Sequence, residues 1–139
     1  MILTDTGYWL ALANTQDHFH QQAIEITKTI ESELIITWPV ITETCHLLNS
    51  RIGSRAPIQF LQQVEQSTTI FELTIGHLPR ARVLMKKYQN LPMDMADASL
   101  VIAAEELQVA NILSTDRRDF QAYRWKNHHP FKNLLLFDS

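Results

Sequence analysis

At 139 residues the chain has the length of one domain able to bury a substantial core, and its 45% hydrophobic share excludes a disordered tail. A formal charge of -3 supplies no global attraction for nucleic acid, and the single cysteine, Cys45, excludes an intramolecular disulfide framework. No run of 18 apolar residues occurs, and Asp5 interrupts an opening stretch that carries no basic leader; a soluble, cytoplasmic protein with one domain over residues 1–139 is therefore expected.

The elements follow in chain order. Ile2, Leu3 and Thr4 read as a short buried strand, and Thr6-Gly7 as the turn into a helix over residues 8–13. Asp17 is placed to N-cap a longer helix carrying Ala23, Ile24, Ile26 and Ile30 at near-helical spacing. Residues 34–38 are apolar and β-branched, a second strand, and Pro39 starts a helix with Ile41, Cys45 and Leu48 on one stripe. A helix with Ile58, Leu61 and Val64 inward is expected over residues 57–66, a third strand through Ile70, Phe71, Leu73 and Ile75, and a helix over residues 78–88. Leu91-Pro92 breaks the pattern before an alanine-rich helix over residues 97–107. Residues 112–116 repeat the opening strand pattern, and residues 134–137 close the chain as a last strand. Strands alternating with helices predict an α/β fold, a mostly parallel sheet covered on both faces.

Acids recur where such a sheet gathers its loops. Asp5 ends the first strand, Glu43 lies in the first turns of the helix after the second, and Asp97 begins a helix three residues after Asp94. Asp116 ends a later strand, with the lead-in Leu-Ser-Thr-Asp close to Leu3-Thr4-Asp5. Residues just past the carboxyl ends of parallel strands converge on one crevice. Four or five carboxylates there repel one another unless a divalent cation neutralises them. A hard cation such as Mg²⁺ takes oxygen ligands, and one or two direct carboxylates per ion suffice. The pattern points to metal-assisted chemistry on phosphate with one or two ions. Taken singly, Asp94 or Asp97 reads as an N-cap, Asp116 as a turn residue and Glu43 as a solvated helix position. Their joint placement carries the inference.

Four segments together resemble the PIN domain: Leu3-Thr4-Asp5-Thr6-Gly7, Thr42-Glu43, Met93-Asp94-Met95-Ala96-Asp97-Ala98-Ser99-Leu100 and Leu113-Ser114-Thr115-Asp116-Arg117-Arg118-Asp119-Phe120. The chain is most similar to the toxin ribonucleases of VapBC-type toxin–antitoxin pairs. The resemblance implies a three-layer α/β/α sandwich, Mg²⁺- or Mn²⁺-dependent endoribonuclease activity, a homodimer held by helices, and a small antitoxin whose C-terminal segment wraps the toxin. Carried over by position, the acidic quartet is Asp5, Glu43, Asp97 and Asp116, with Asp5 and Asp97 as direct metal ligands. Glu43 and Asp116 complete the site directly or through water, and Thr115, with Thr6, supports it. Asp94 is an additional acid that competes with Asp97 for the ligand role, and Asp119 is placed to cap the turn at Phe120.

Arg117, Arg118, Arg124, Lys126 and Lys132 interleave with Phe120, Tyr123, Trp125 and Phe131, a mixture that suits phosphate contact and base stacking but equally an ordinary packed edge with solvated charges. Arg117 and Arg118, directly after Asp116, are the candidate RNA contacts. His18, His20, His128 and His129 lack the spacing and cysteine companions of a zinc site. Cys45 is expected to be a buried inert thiol, and Tyr8, Trp9 and Leu12 either core or interface. A haloacid-dehalogenase-type phosphatase needs a second Asp where Gly7 stands. A receiver-like signalling module needs an acid pair where Thr4 and Thr6 flank Asp5. A non-toxin RNA-processing PIN nuclease and a non-catalytic RNA-binding PIN domain are the remaining alternatives, and the intact quartet disfavours the second.

Overall fold

The computed structural model describes residues 1–136. The chain runs β1 (Ile2–Thr4), α1 (Thr6–Ala13), α2 (His20–Thr29), β2 (Leu34–Thr37), α3 (Trp38–Arg51), α4 (Arg55–Ser67) and β3 (Thr68–Phe71). A 3-10 turn (Ile75–His77) leads into α5 (Leu78–Lys87), then α6 (Met95–Leu107), β4 (Asn111–Leu113), α7 (Arg117–Ala122), β5 (Arg124–Trp125), β6 (His129–Pro130) and β7 (Lys132–Asn133). Among the described residues β3-β2-β1-β4-β7 form one parallel sheet in that order, and β5-β6 a separate antiparallel hairpin.

The central strands are apolar without alternation because both faces are covered: Leu3, Ile35, Ile36, Ile112 and Leu113 are all buried. Helix α1 packs against α2, α3 and α4, α3 also meets α4, and α6 lies across β1 and β2 beside α5, giving the three-layer α/β/α arrangement. α1 and α6 are apolar nearly all round and are core helices. Tyr8, Trp9, Leu10 and Ala11 are buried in the first, and the run from Ala98 to Ala104 in the second. The Trp9 indole donates to Thr4 Oγ1 at 2.8 Å, and that hydroxyl donates to the Ile35 carbonyl at 2.8 Å, so β1, β2 and α1 share one buried polar chain. Tyr8 and Trp9 are therefore core, with Leu12 half-buried at its margin. α4 shows the amphipathic alternative: Val64 is inward as expected, but the buried stripe runs through Ala56 and Phe60, which share its helix face at four-residue spacing and leave Ile58 and Leu61 exposed where they were expected inward. Among the described residues no helix is long and apolar enough to cross a membrane.

Four further local expectations are corrected. The second helix starts at His20, because Asp17 accepts a hydrogen bond from Phe19 N at 2.8 Å in a turn and leaves the cap position to Phe19. Trp38 belongs to α3 and not to β2, since extended Thr37 is already the N-cap and Pro39 occupies the first turn. β3 ends at Phe71, where Thr74 and His77 close a capping box around the 3-10 turn that contains Ile75. Among the described residues the last sheet strand is Lys132–Asn133, earlier than the expected residues 134–137. The Asn133 carboxamide oxygen accepts from Leu135 N and Leu136 N, which turns the chain out of the ladder. Phe137 lies outside the described residues.

Candidate active site

From β1 the chain moves outward through β2 and β3, then crosses back to place β4 on the other flank of β1. Such a reversal leaves a crevice at the carboxyl ends of the strands. Asp5 directly follows β1 and donates its backbone N–H to the Leu113 carbonyl of β4 at 3.0 Å, so it sits at this switch point. Its side chain N-caps α1: one carboxylate oxygen accepts Thr6 N at 2.8 Å, the other the Ser114 hydroxyl at 2.9 Å. Asp116 N-caps α7 through Asp119 N at 3.0 Å, and its own N–H donates to Ser114 Oγ at 2.9 Å. One buried serine hydroxyl thereby links both acids.

Asp94 and Asp97 divide their roles. Asp94 is the N-cap of α6 and accepts Asp97 N at 2.8 Å; Asp97 is the reciprocal member of the capping box. Asp97 Oδ2 also accepts the Tyr123 hydroxyl at 3.1 Å. α6 is seated on the end of β2 by a buried hydrogen bond of 2.6 Å between the Thr37 and Ser99 hydroxyls. Asp119 is not a cap, contrary to expectation: Asp116 caps that turn, while the buried Asp119 carboxylate accepts Arg118 Nε at 3.1 Å.

Gly7 is required by Thr115. A Cβ at position 7 would lie 1.8 Å from Thr115 Oγ1, 3.0 Å from its Cβ and 3.3 Å from its Cγ2, so no rotamer of Thr115 relieves the overlap. Gly7→Ala is expected to push the loop of residues 114–116 away from Asp5 and to cost roughly 1–3 kcal/mol in stability. Thermal melts of the two proteins, showing a lower melting temperature for the variant, check this.

The acids perturb one another. Burial, with the charges of Glu43 and Asp116, raises the Asp5 carboxyl to about 7. Burial and the charges of Asp5 and Asp94 raise Asp97 to about 8. Glu43 is raised by burial and by Asp94, and Asp116 by burial and Asp119. All four predicted site acids are thus held at a cost to their ionised forms. Thr6 Oγ1 is buried with no partner at hydrogen-bond distance, although it lies near enough to Glu43 to favour the carboxylate.

An all-oxygen donor set with an orphaned buried hydroxyl beside it fits a hard cation that keeps part of its water shell. Among the described residues no three His, Cys, Asp or Glu side chains close around a point by themselves. The fit is to one or two direct carboxylates completed by water, not to an all-protein cage.

Comparison with known proteins decides the lineage. The profile of the PIN domain matches residues 2–126. The chain belongs to the PIN domain family. It is 25% identical over 124 residues to Ribonuclease VapC26 of Mycobacterium tuberculosis, spanning 88% of this chain and 92% of that protein. Its fold superposes on the crystal structure of VapC20 from the same organism, a Sarcin-Ricin loop cleaving toxin, with a TM-score of 0.79 and 21% identity over 85% of this chain and 92% of that one.

In this PIN domain Arg117 and Arg118 are exposed at the start of α7, directly after Asp116. The interleaved aromatics pack instead of projecting. Phe120 and Tyr123 are buried edge-to-face against each other, and Phe131 meets Phe120 likewise. Trp125 stacks on His129, and Cys45 is half-buried, less enclosed than expected. A cleft of about 630 Å³ opens beside Glu43 and Asp94, walled by Trp38, Thr42, His46 and Met95. The sequence reading missed Ser114, Asn133 and Tyr123 as supports of the acids. Ser114 had a signal, a hydroxyl residue ending a buried strand in the same Leu-Ser-Thr-Asp lead-in. Asn133, which brackets Ser114 by accepting its N–H and donating to its carbonyl, had none.

Proposed function

We propose that this PIN domain, taken as residues 1–139, is a divalent-metal-dependent endoribonuclease and the toxin of a type II toxin–antitoxin pair. The convergence of Asp5, Glu43, Asp97 and Asp116 on the switch-point crevice, each disfavoured as a bare anion, is the observation that carries the chemistry. The toxin assignment is supported by the likeness to VapC26 and to the fold of VapC20. Partners on this reading are an RNA substrate, a small antitoxin and a second copy of the chain, in the cytoplasm.

Asp5 and Asp97 would hold Mg²⁺, or Mn²⁺ in its place, with Glu43, Asp116 and Asp94 around them. Bound there, the ion supplies Lewis-acid stabilisation of phosphate charge and a water made acidic enough to act as nucleophile. The chain contributes rigidity: Ser114 and Thr6 N hold Asp5, while Tyr123 and the capping box hold Asp97. Thr6 Oγ1, unpartnered and near Glu43, would orient a water together with that carboxylate. The cleft past Glu43 has room for a nucleotide unit, and Arg117 and Arg118 lie on the Asp116 side, where they can take up phosphate charge.

The test is incubation of a mixed cellular RNA pool with the purified protein in Mg²⁺, Mn²⁺ or EDTA. Discrete fragments that require metal are expected. An intact pool in every buffer, with protein shown to be folded by circular dichroism, would overturn the reading.

A further inference from the structure

Tyr123 is a buried tyrosine whose hydroxyl ends on Asp97. We propose that Tyr123 is a positioning residue for the metal site, its hydroxyl fixing the Asp97 carboxylate through Oδ2 so that Oδ1 is the oxygen left for the cation. The proposal rests on the metal-dependent reading above and adds a residue to it.

Three observations carry it. First, both hydrogen bonds that Asp97 receives among the described residues fall on one oxygen: Tyr123 at 3.1 Å and Asp94 N at 3.4 Å both reach Oδ2. A carboxylate held on one edge presents the other in a fixed direction. Second, the Tyr123 ring has no freedom to follow a moving partner. Tyr88 and Phe120 box it edge-on at 5.0 and 5.1 Å between centroids, and Phe131 backs Phe120 at 5.4 Å.

Third, the backbone that carries the ring is tied to the helix that carries Asp97. Arg124 N donates to the Tyr88 hydroxyl at 3.0 Å. Glu105 of α6 accepts Lys126 N at 2.6 Å and a two-pronged hydrogen bond from Arg80 at 2.9 and 2.7 Å, and Arg80 reaches on to Asn127 at 3.1 Å. Lys126 and Asn127 form the hairpin turn with φ of 50° and 67°. Hairpin, α5 and α6 are one unit, so the distance from Tyr123 to Asp97 is set by the fold.

The experiment is calorimetric titration of Mn²⁺ alone into the full chain, comparing wild type, Tyr123→Phe and Asp97→Asn. Phe keeps the ring in its box and removes only the hydroxyl. Tyr123→Phe is expected to bind Mn²⁺ about tenfold more weakly, with a metal-free melting temperature lowered by no more than about 5 °C, the effect of one lost hydrogen bond. In RNA cleavage it should lower kcat at limiting Mn²⁺ with KM unchanged, and recover at high Mn²⁺. Wild-type Mn²⁺ affinity in Tyr123→Phe, alongside loss of binding in Asp97→Asn, would overturn the positioning role and leave the metal site standing. Absence of Mn²⁺ binding by the wild type would overturn both.

Discussion

Asp5→Asn and Asp97→Asn should each lower RNA cleavage on the order of a thousandfold or more while leaving the protein folded. The amide matches the carboxylate in shape but is neutral and a weak ligand for a hard cation. Local hydrogen bonding survives the exchange. At position 5 the amide oxygen can keep Thr6 N, and the amide nitrogen can donate to Ser114 Oγ where the carboxylate accepted from it. At position 97 the amide oxygen can keep both Tyr123 and Asp94 N, since both already meet a single oxygen. Single-turnover cleavage with matched circular dichroism separates lost chemistry from lost fold. Cleavage at the wild-type rate in both variants would remove the acids from the mechanism.

A second large effect concerns the metal-free protein and pH. Asp5 and Asp97 titrate at about 7 and about 8 in the folded chain against 3.8 ordinarily. The folded state therefore binds protons more tightly than the unfolded chain between these limits, and unfolding releases them. Stability is fully present below about pH 4 and declines as pH rises through 7 and 8, the reverse of an ion-paired carboxylate. Three units at Asp5 correspond to on the order of 4 kcal/mol. For a chain of this length the melting temperature in EDTA should fall by roughly 10 °C between pH 5 and pH 8.5. Added Mn²⁺ should restore it by binding the folded state alone. Asp97→Asn should flatten the decline. A melting temperature in EDTA that is level or rises over this range would contradict the electrostatic account.

The fold class was legible because strand and helix periods alternate cleanly in the sequence, and apolar strands such as 34–37 admit no exposed face. The acids were legible because Asp5 and Asp116 follow strands and Asp94 and Asp97 open a helix, where chemistry and capping both favour a carboxylate; Asp94 does cap, as its plainer reading had it, while Asp116 caps α7 where its plainer reading was a turn residue. The boundaries were less legible. Side chains acting on backbone set them, as Asn133 does for β7 and the Thr74–His77 pair does for β3, and no periodicity records such contacts. The β5-β6 hairpin was missed because its turn uses Lys126-Asn127 at positive φ, without the glycine that marks such turns. Tyr123 read as one more edge aromatic, since its partner lies 26 positions away and only folding joins them.

Anomalous diffraction from Mn²⁺-soaked crystals would locate any divalent cation held by the switch-point acids. An anomalous peak is expected about 2.0–2.2 Å from carboxylate oxygens of Asp5 and Asp97, absent from crystals of Asp97→Asn. A peak elsewhere on the protein, or none at millimolar Mn²⁺ with the crevice open to solvent, would contradict the metal assignment.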